Sequence, residues 1–279
     1  ITAAMLDSNR IMVNLSAGKT LGDTLIAEYP MPHNSTQNLK SSVKAVTYEE
    51  SEKRCRIVID SNDNNDYFLS GCWPIKNHTS LLKLSINNPE NYLKQQLKKA
   101  LKKQDITFNG EIQFAKMPNN VGKISEVTSA KLDELLNKVL SHSDNIYTET
   151  IMKSLGAKLF ATGSFKTGIL ALEKILTESI GTDFNHIRLV DGSGLSRYNL
   201  VDPQSLKKIL YTMYHDKKMF SVFGSILGQP GKKGMMEKRF LSFGAASNIK
   251  AKTGGMTGVS AISGYLTTKA NKDLIFTIM

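Results

Sequence analysis

The chain reads as an α+β protein of more than one domain, and three observations carry that reading. Up to about Pro74 it is a series of short β-branched and aromatic runs broken by turn residues, the pattern of strands. From Asn91 the apolar period lengthens to that of helices, and beyond Asn248 it returns to that of strands. A β-rich first third is therefore followed by helices that an antiparallel sheet closes. No internal repeat or low-complexity segment breaks this order.

The early strands are expected at 11–17, 24–29, 43–49, 55–60 and 67–73, where apolar residues alternate or run together. Tyr92, Leu93, Gln96, Leu97, Ala100 and Leu101 recur at helical spacing, as do Leu132, Leu135, Leu136, Val139 and Leu140. Further helices are expected at about 146–156, 168–180 and 204–215, the last with Asp202 as N-cap and Pro203 in its first turn. The closing sheet takes "IKAKTGG", "VSAISGYLTT" and "DLIFTIM", with a turn at Lys269–Lys272 between the last two.

Composition narrows the class. In 279 residues, 41% hydrophobic and 22% charged describe a globular chain, and no run reaches the ~18 apolar residues of a membrane span. A peripheral membrane association is the most that this composition allows. The start has no basic segment followed by an apolar stretch, so it is not a signal peptide. It also lacks an initiator Met, and the chain stops inside a strand-like run at Phe276–Met279, so a fragment of a longer protein is expected. Thirty-six Lys and Arg against twenty-five Asp and Glu give +11, which favours anionic surroundings. The densest basic set, Lys94, Lys98, Lys99, Lys102 and Lys103, flanks the leucines of one helix, so it reads as a solvated helix face and not as a specific nucleic-acid patch.

Cys55 and Cys72 sit in the strand-like runs "CRIVID" and "DYFLSGC". A tight hairpin centred on Asp63-Asn64 would pair positions that sum to 127, which sets the two cysteines opposite one another. Either they form a disulfide in an oxidising compartment, or they are two reduced buried thiols.

Several near-motifs fall away on context. Gly18-Lys19-Thr20 lacks the earlier glycine of a phosphate loop, because Val13 stands there. Ser16-Ala-Gly-Lys19 has the letters of a Ser-x-x-Lys nucleophile but lies in strand and turn context, where no helix face brings serine and lysine together. Gly194-Leu-Ser196 lacks the final glycine of a nucleophile elbow. His33, His78, His142, His186 and His215 show no metal-ligand spacing, so no metal site is expected. Lys166-Thr-Gly168 leads into a helix. Lys252-Thr-Gly254 instead has strand on both sides and glycines that let a ligand approach the backbone.

Ser143-Asp144-Asn145, at the end of one helix, and Lys252-Thr253-Gly254, on a later strand, occur in the order of the serine β-lactamase and penicillin-binding-protein signature. With "YFLSGCWP" (67–74), "DGSGLSRYNLVDP" (191–203) and "IKAKTGG" (249–255), the chain resembles the low-molecular-mass class C penicillin-binding proteins, the D-alanyl-D-alanine carboxypeptidase/endopeptidase family. The resemblance covers nearly the whole chain. It implies a transpeptidase-like core of helices on an antiparallel sheet at about 116–279, preceded by a β-rich inserted domain over 1–115.

The resemblance further implies a periplasmic or exported serine DD-peptidase. Its substrate would be the peptidoglycan stem peptide, β-lactams would be covalent inhibitors, and no cofactor or specific nucleic-acid partner would be involved. Ser143 would relay a proton, Asn145 would bind the penultimate carbonyl, and Lys252 would supply positive potential for the terminal carboxylate. Thr253 would hydrogen-bond that carboxylate, Gly254 would let it approach, and Gly255 would lend a backbone N–H to the oxyanion hole. Asp191 and Arg197 would pin the loop beside the site. Two departures stand out: Gly255 replaces a Ser or Thr common in the family, and the nucleophilic Ser-x-x-Lys is expected upstream of Ile1, along with the base. The competing class is a non-catalytic protein that grips cell-wall peptide or nucleic acid.

Overall fold

The computed structural model describes residues 5–16, 20–30, 37–53, 55–75, 79–115, 118, 120–241 and 248–279. The chain divides into two compact units, Ile1–Gly122 and Lys123–Met279.

The first unit runs β1 (Arg10–Ser16), β2 (Ile26–Glu28), β3 (Leu39–Ser41), β4 (Lys44–Val46), α1 (Tyr48–Glu52), β5 (Ile57–Ser61), β6 (Tyr67–Pro74), β7 (Ser80–Ser85) and α2 (Pro89–Lys103). β1 lies between β2 and β7, antiparallel to both. β6 pairs in parallel with β3 and β4 and antiparallel with β5. The period-2 alternation of β1 sends Ile11, Val13 and Leu15 into a core with Val43, Tyr67 and Leu84. Tyr92 of α2 joins that core and donates its hydroxyl to Asp7 at 2.5 Å.

Three sequence expectations change here. The strand expected over 43–49 ends at Val46, because Thr47 and Glu50 form a reciprocal capping box that starts α1. β3 and β7 are added, the latter contributing buried Leu84. The β5–β6 hairpin pairs Ile57 with Gly71 and Ser61 with Tyr67, a register one step from the tight-turn expectation. Its loop is five residues long. The Asn62 carboxamide accepts from the N–H groups of Asn64 and Asp66, and Asn65 takes a left-handed φ of 60°. Asn65 is buried against Asn88, donating to its carbonyl at 2.9 Å and accepting from its N–H at 2.7 Å. Cys72 N–H consequently faces the Arg56 carbonyl rather than Cys55. Gly71, at φ +89°, closes the offset, since a Cβ there would sit 2.1 Å from that carbonyl. A disulfide joins Cys55 to Cys72 across a Cα–Cα distance of 5.4 Å.

The second unit runs α3 (Leu132–His142), α4 (Asn145–Phe160), α5 (Phe165–Ile180), α6 (Pro203–His215), α7 (Lys217–Ile226), β8 (Ile249–Met256), β9 (Val259–Thr267) and β10 (Asp273–Ile278). The sheet is antiparallel in the order β10-β9-β8. Helices stand where the apolar period put them, with α7 in addition. Asp216 ends α6 and caps α7 at once, which hides the boundary from a periodicity reading. Phe220 and Phe223 of α7 pack with Tyr214 around Tyr265, whose hydroxyl donates to the Leu210 carbonyl at 2.8 Å. After α7 the chain pairs through Gly228 with Ala251, which fixes β8 from its outer side. Buried Ser141 donates to the Ile226 carbonyl at 3.0 Å and so ties the end of α3 to the end of α7.

The earlier Lys-Thr-Gly turns out to be a packing motif. Ser164 and Thr167 cap α5, and Gly168 lies against α4, where a Cβ would meet the Met152 carbonyl at 2.8 Å.

Candidate active site

Ser143-Asp-Asn145 is the junction between two helices. Ser143 ends α3 in the left-handed conformation, φ 53° and ψ 45°, so that α4 can begin two residues later. A non-glycine residue in that region costs on the order of 1 kcal/mol, and the surrounding bonds must outweigh it. They do so through Asp144, whose carboxylate accepts from the N–H groups of Ile146 at 3.0 Å and Tyr147 at 3.2 Å. The same letters therefore break one helix, cap the next and leave Ser143 and Asn145 at the junction.

Lys252 comes from β8, opposite Ser263 of β9. Its ammonium donates to Ser143 Oγ at 2.5 Å and to the Thr253 carbonyl at 2.6 Å. The two motifs, 109 residues apart, are thus in direct contact. Burial disfavours the charged amine and holds Lys252 below the ordinary lysine value of 10.5.

Beside that contact lies a cavity of about 480 Å³. Its polar residues include Ser143, Asn145, Lys252 and Thr253, and its apolar part includes Leu140, Leu210, Phe223 and Leu227. Gly254 lines it too, whereas Gly255 stands one residue further along β8, with open space where a side chain would be. Such a site has an anion-attracting cation, a hydroxyl tuned by it, a carboxamide and a strand edge, the groups that hold an extended peptide ending in carboxylate.

Asp191 and Arg197 lie outside the cavity lining and hold the loop that borders it. The Asp191 carboxylate accepts from Gly194 N–H at 2.7 Å, Ser196 N–H at 2.6 Å and Asn199 Nδ2 at 2.8 Å. Arg197 Nη2 donates to the Thr257 carbonyl at 2.7 Å, in the turn between β8 and β9. Gly194 takes φ +78°, a conformation that a side chain would strain.

A residue that the sequence reading passed over is Glu149, one turn beyond Asn145 in α4. Its carboxylate accepts from Gly192 N–H at 3.1 Å and Ser193 N–H at 3.0 Å. Among the described residues it is the one acid in the buried class, 7% exposed. The i,i+4 spacing from Asn145 was legible, but a buried helical acid has the same letter as a solvated one.

Ser16 ends β1, in a strand, and Lys19 lies outside the described residues, as do His33 and His78. None of the serines that line the cavity, Ser143, Ser193 and Ser263, is followed three residues later by lysine. Ser205 and Lys208 of α6 do have that spacing, but Ser205 Oγ donates to Asp202 and Lys208 Nζ to the Gly181 carbonyl, so each is engaged elsewhere.

Comparison with known proteins gives the family and the fold. D-alanyl-D-alanine carboxypeptidase DacB of Haemophilus influenzae is 27% identical over 284 residues, covering 98% of this chain and 57% of the relative. A D-alanyl-D-alanine carboxypeptidase of an Actinomadura species is 29% identical over 189 residues, covering 65% of this chain and 35% of its own. The chain thus spans little more than half the length of the first of these relatives. The crystal structure of penicillin-binding protein 4 of H. influenzae superposes with a TM-score of 0.86 at 26% identity, over 99% of this chain and 60% of that one. The fold is that of a penicillin-binding protein. Residues 1–279 match as a whole the D-Ala-D-Ala carboxypeptidase 3 (S13) family, and the chain belongs to that family.

Proposed function

We propose that the complete protein carrying this chain is a serine DD-peptidase that cleaves the D-Ala-D-Ala terminus, or a D-Ala cross-link, of peptidoglycan stem peptides. One observation carries the reading, the 2.5 Å contact of Lys252 Nζ with Ser143 Oγ beside a peptide-sized cavity. The nucleophile comes from a Ser-x-x-Lys in a segment outside these residues. Its hydroxyl oxygen attacks the penultimate carbonyl carbon, and the lysine of that motif takes the hydroxyl proton. As the C–N bond breaks, the proton passes through Ser143 to the leaving amine, and water then hydrolyses the acyl ester.

Asn145 holds the penultimate carbonyl group, and Lys252 with Thr253 holds the terminal carboxylate beside Gly254. The Gly255 N–H donates to the developing oxyanion. β-Lactams, which mimic the terminus and acylate the same serine, are inhibitors. Residues 1 to about 115 are an insert within this catalytic core. The protein acts in the periplasm or outside the cell, where the Cys55–Cys72 disulfide persists and the net charge of +11 suits an anionic wall.

The test is release of D-alanine from a pentapeptide ending in D-Ala-D-Ala. The complete protein releases it, and Lys252→Ala lowers kcat/KM by about 10²- to 10⁴-fold. Unchanged turnover in Lys252→Ala would remove Lys252 from the chemistry.

A further inference from the structure

We propose that Glu149 is a positioning residue of this site, and that it sets the wall which the loop from Asp191 to Asn199 gives to the cavity. This rests on the peptidase reading and adds to it a residue outside both motifs. Glu149 lies four residues after Asn145, on the same face of α4. Its two oxygens take one backbone N–H each, those of Gly192 and Ser193. Those two residues line the cavity next to Asn145 and Thr148.

A buried carboxylate is a costly way to fill space, and an apolar side chain of similar volume would pack there without the desolvation penalty. What the carboxylate supplies is direction: two converging acceptors can hold two consecutive N–H groups, which no apolar side chain can do. The approach is close, because a Cβ on Gly192 would lie 3.1 Å from Met152 Sδ and 3.5 Å from Glu149 Oε2. At its other end the loop is tied by Arg197 to the β8–β9 turn. It is therefore a strap between the helix that carries Asn145 and the hairpin that carries Lys252, and Glu149 is its anchor on the helix side.

Glu149→Gln keeps the shape but turns an NH₂ donor toward an N–H. In the complete protein we expect kcat/KM for the D-Ala-D-Ala peptide to fall about 10- to 100-fold. Acylation by benzylpenicillin, a smaller ligand that leans on the motif residues, should change less than about threefold. Amide exchange at Gly192 and Ser193, followed by NMR, should speed up about 10- to 100-fold, with the melting temperature lowered by no more than about 10 °C. Gly192→Ala, which pushes the strap off α4 with Glu149 intact, should give the same selective loss. Unchanged exchange or unchanged peptide turnover would overturn the proposal. So would an equal loss of peptide and penicillin reactions, the signature of a generally weakened fold. A wild-type protein with neither reaction would sink the peptidase reading instead, and the exchange measurement would then decide alone whether Glu149 holds the loop.

Discussion

A lysine ammonium has three N–H groups, and at Lys252 two are engaged by Ser143 Oγ and the Thr253 carbonyl, which leaves one for a ligand among the described residues. Burial works against that charge, so the proton leaves at a lower pH than from an exposed lysine. If protonated Lys252 holds the terminal carboxylate, the alkaline limb of kcat/KM falls below pH 10.5, and Lys252→Arg removes that limb from the remaining activity because guanidinium stays charged. A limb at or above 10.5 would assign the pH dependence to another group. That Ser143, Asn145 and Lys252 come together was legible because their motifs keep order and context. Glu149 was not, because its role depends on Gly192 and Ser193 arriving above it, a tertiary fact that local spacing does not encode.

Elements were legible where one periodicity ruled. α3, α5 and α6 follow a clear apolar period, whereas α1 begins at the Thr47 cap inside a stretch read as strand and α7 begins at the Asp216 cap in a stretch left unassigned. The β5–β6 register shifted because Asn65 finds partners on Asn88, a contact 23 residues away. Glycines separate packing from chemistry at this scale. Gly168→Ala would force α4 and α5 apart at a 2.8 Å contact with backbone, and should lower stability by about 1–3 kcal/mol in urea unfolding. Gly255→Ser meets nothing within 4 Å and should stay within about 0.5 kcal/mol of wild type. The reverse ranking would show that the helix pair, and not the strand edge, has room to spare.

The whole chain places a disulfide in one unit and the motif contact in the other. Cys55 and Cys72 close a loop of 17 residues, so the double Cys→Ser variant should lose about 3 kcal/mol from the unfolding transition of the first unit. A loss near zero would mean that the unfolded segment is already restricted without the bridge. The broad α+β order was visible from changes of period alone. The proposed peptidase chemistry rests on two short motifs that meet, and the serine it calls for is assigned to neither unit. Intact mass after incubation with benzylpenicillin tests that assignment most directly. We predict one penicilloyl adduct on the complete protein, on the serine of a Ser-x-x-Lys outside these 279 residues, and none on this chain alone; an adduct on the 279-residue chain itself would contradict it.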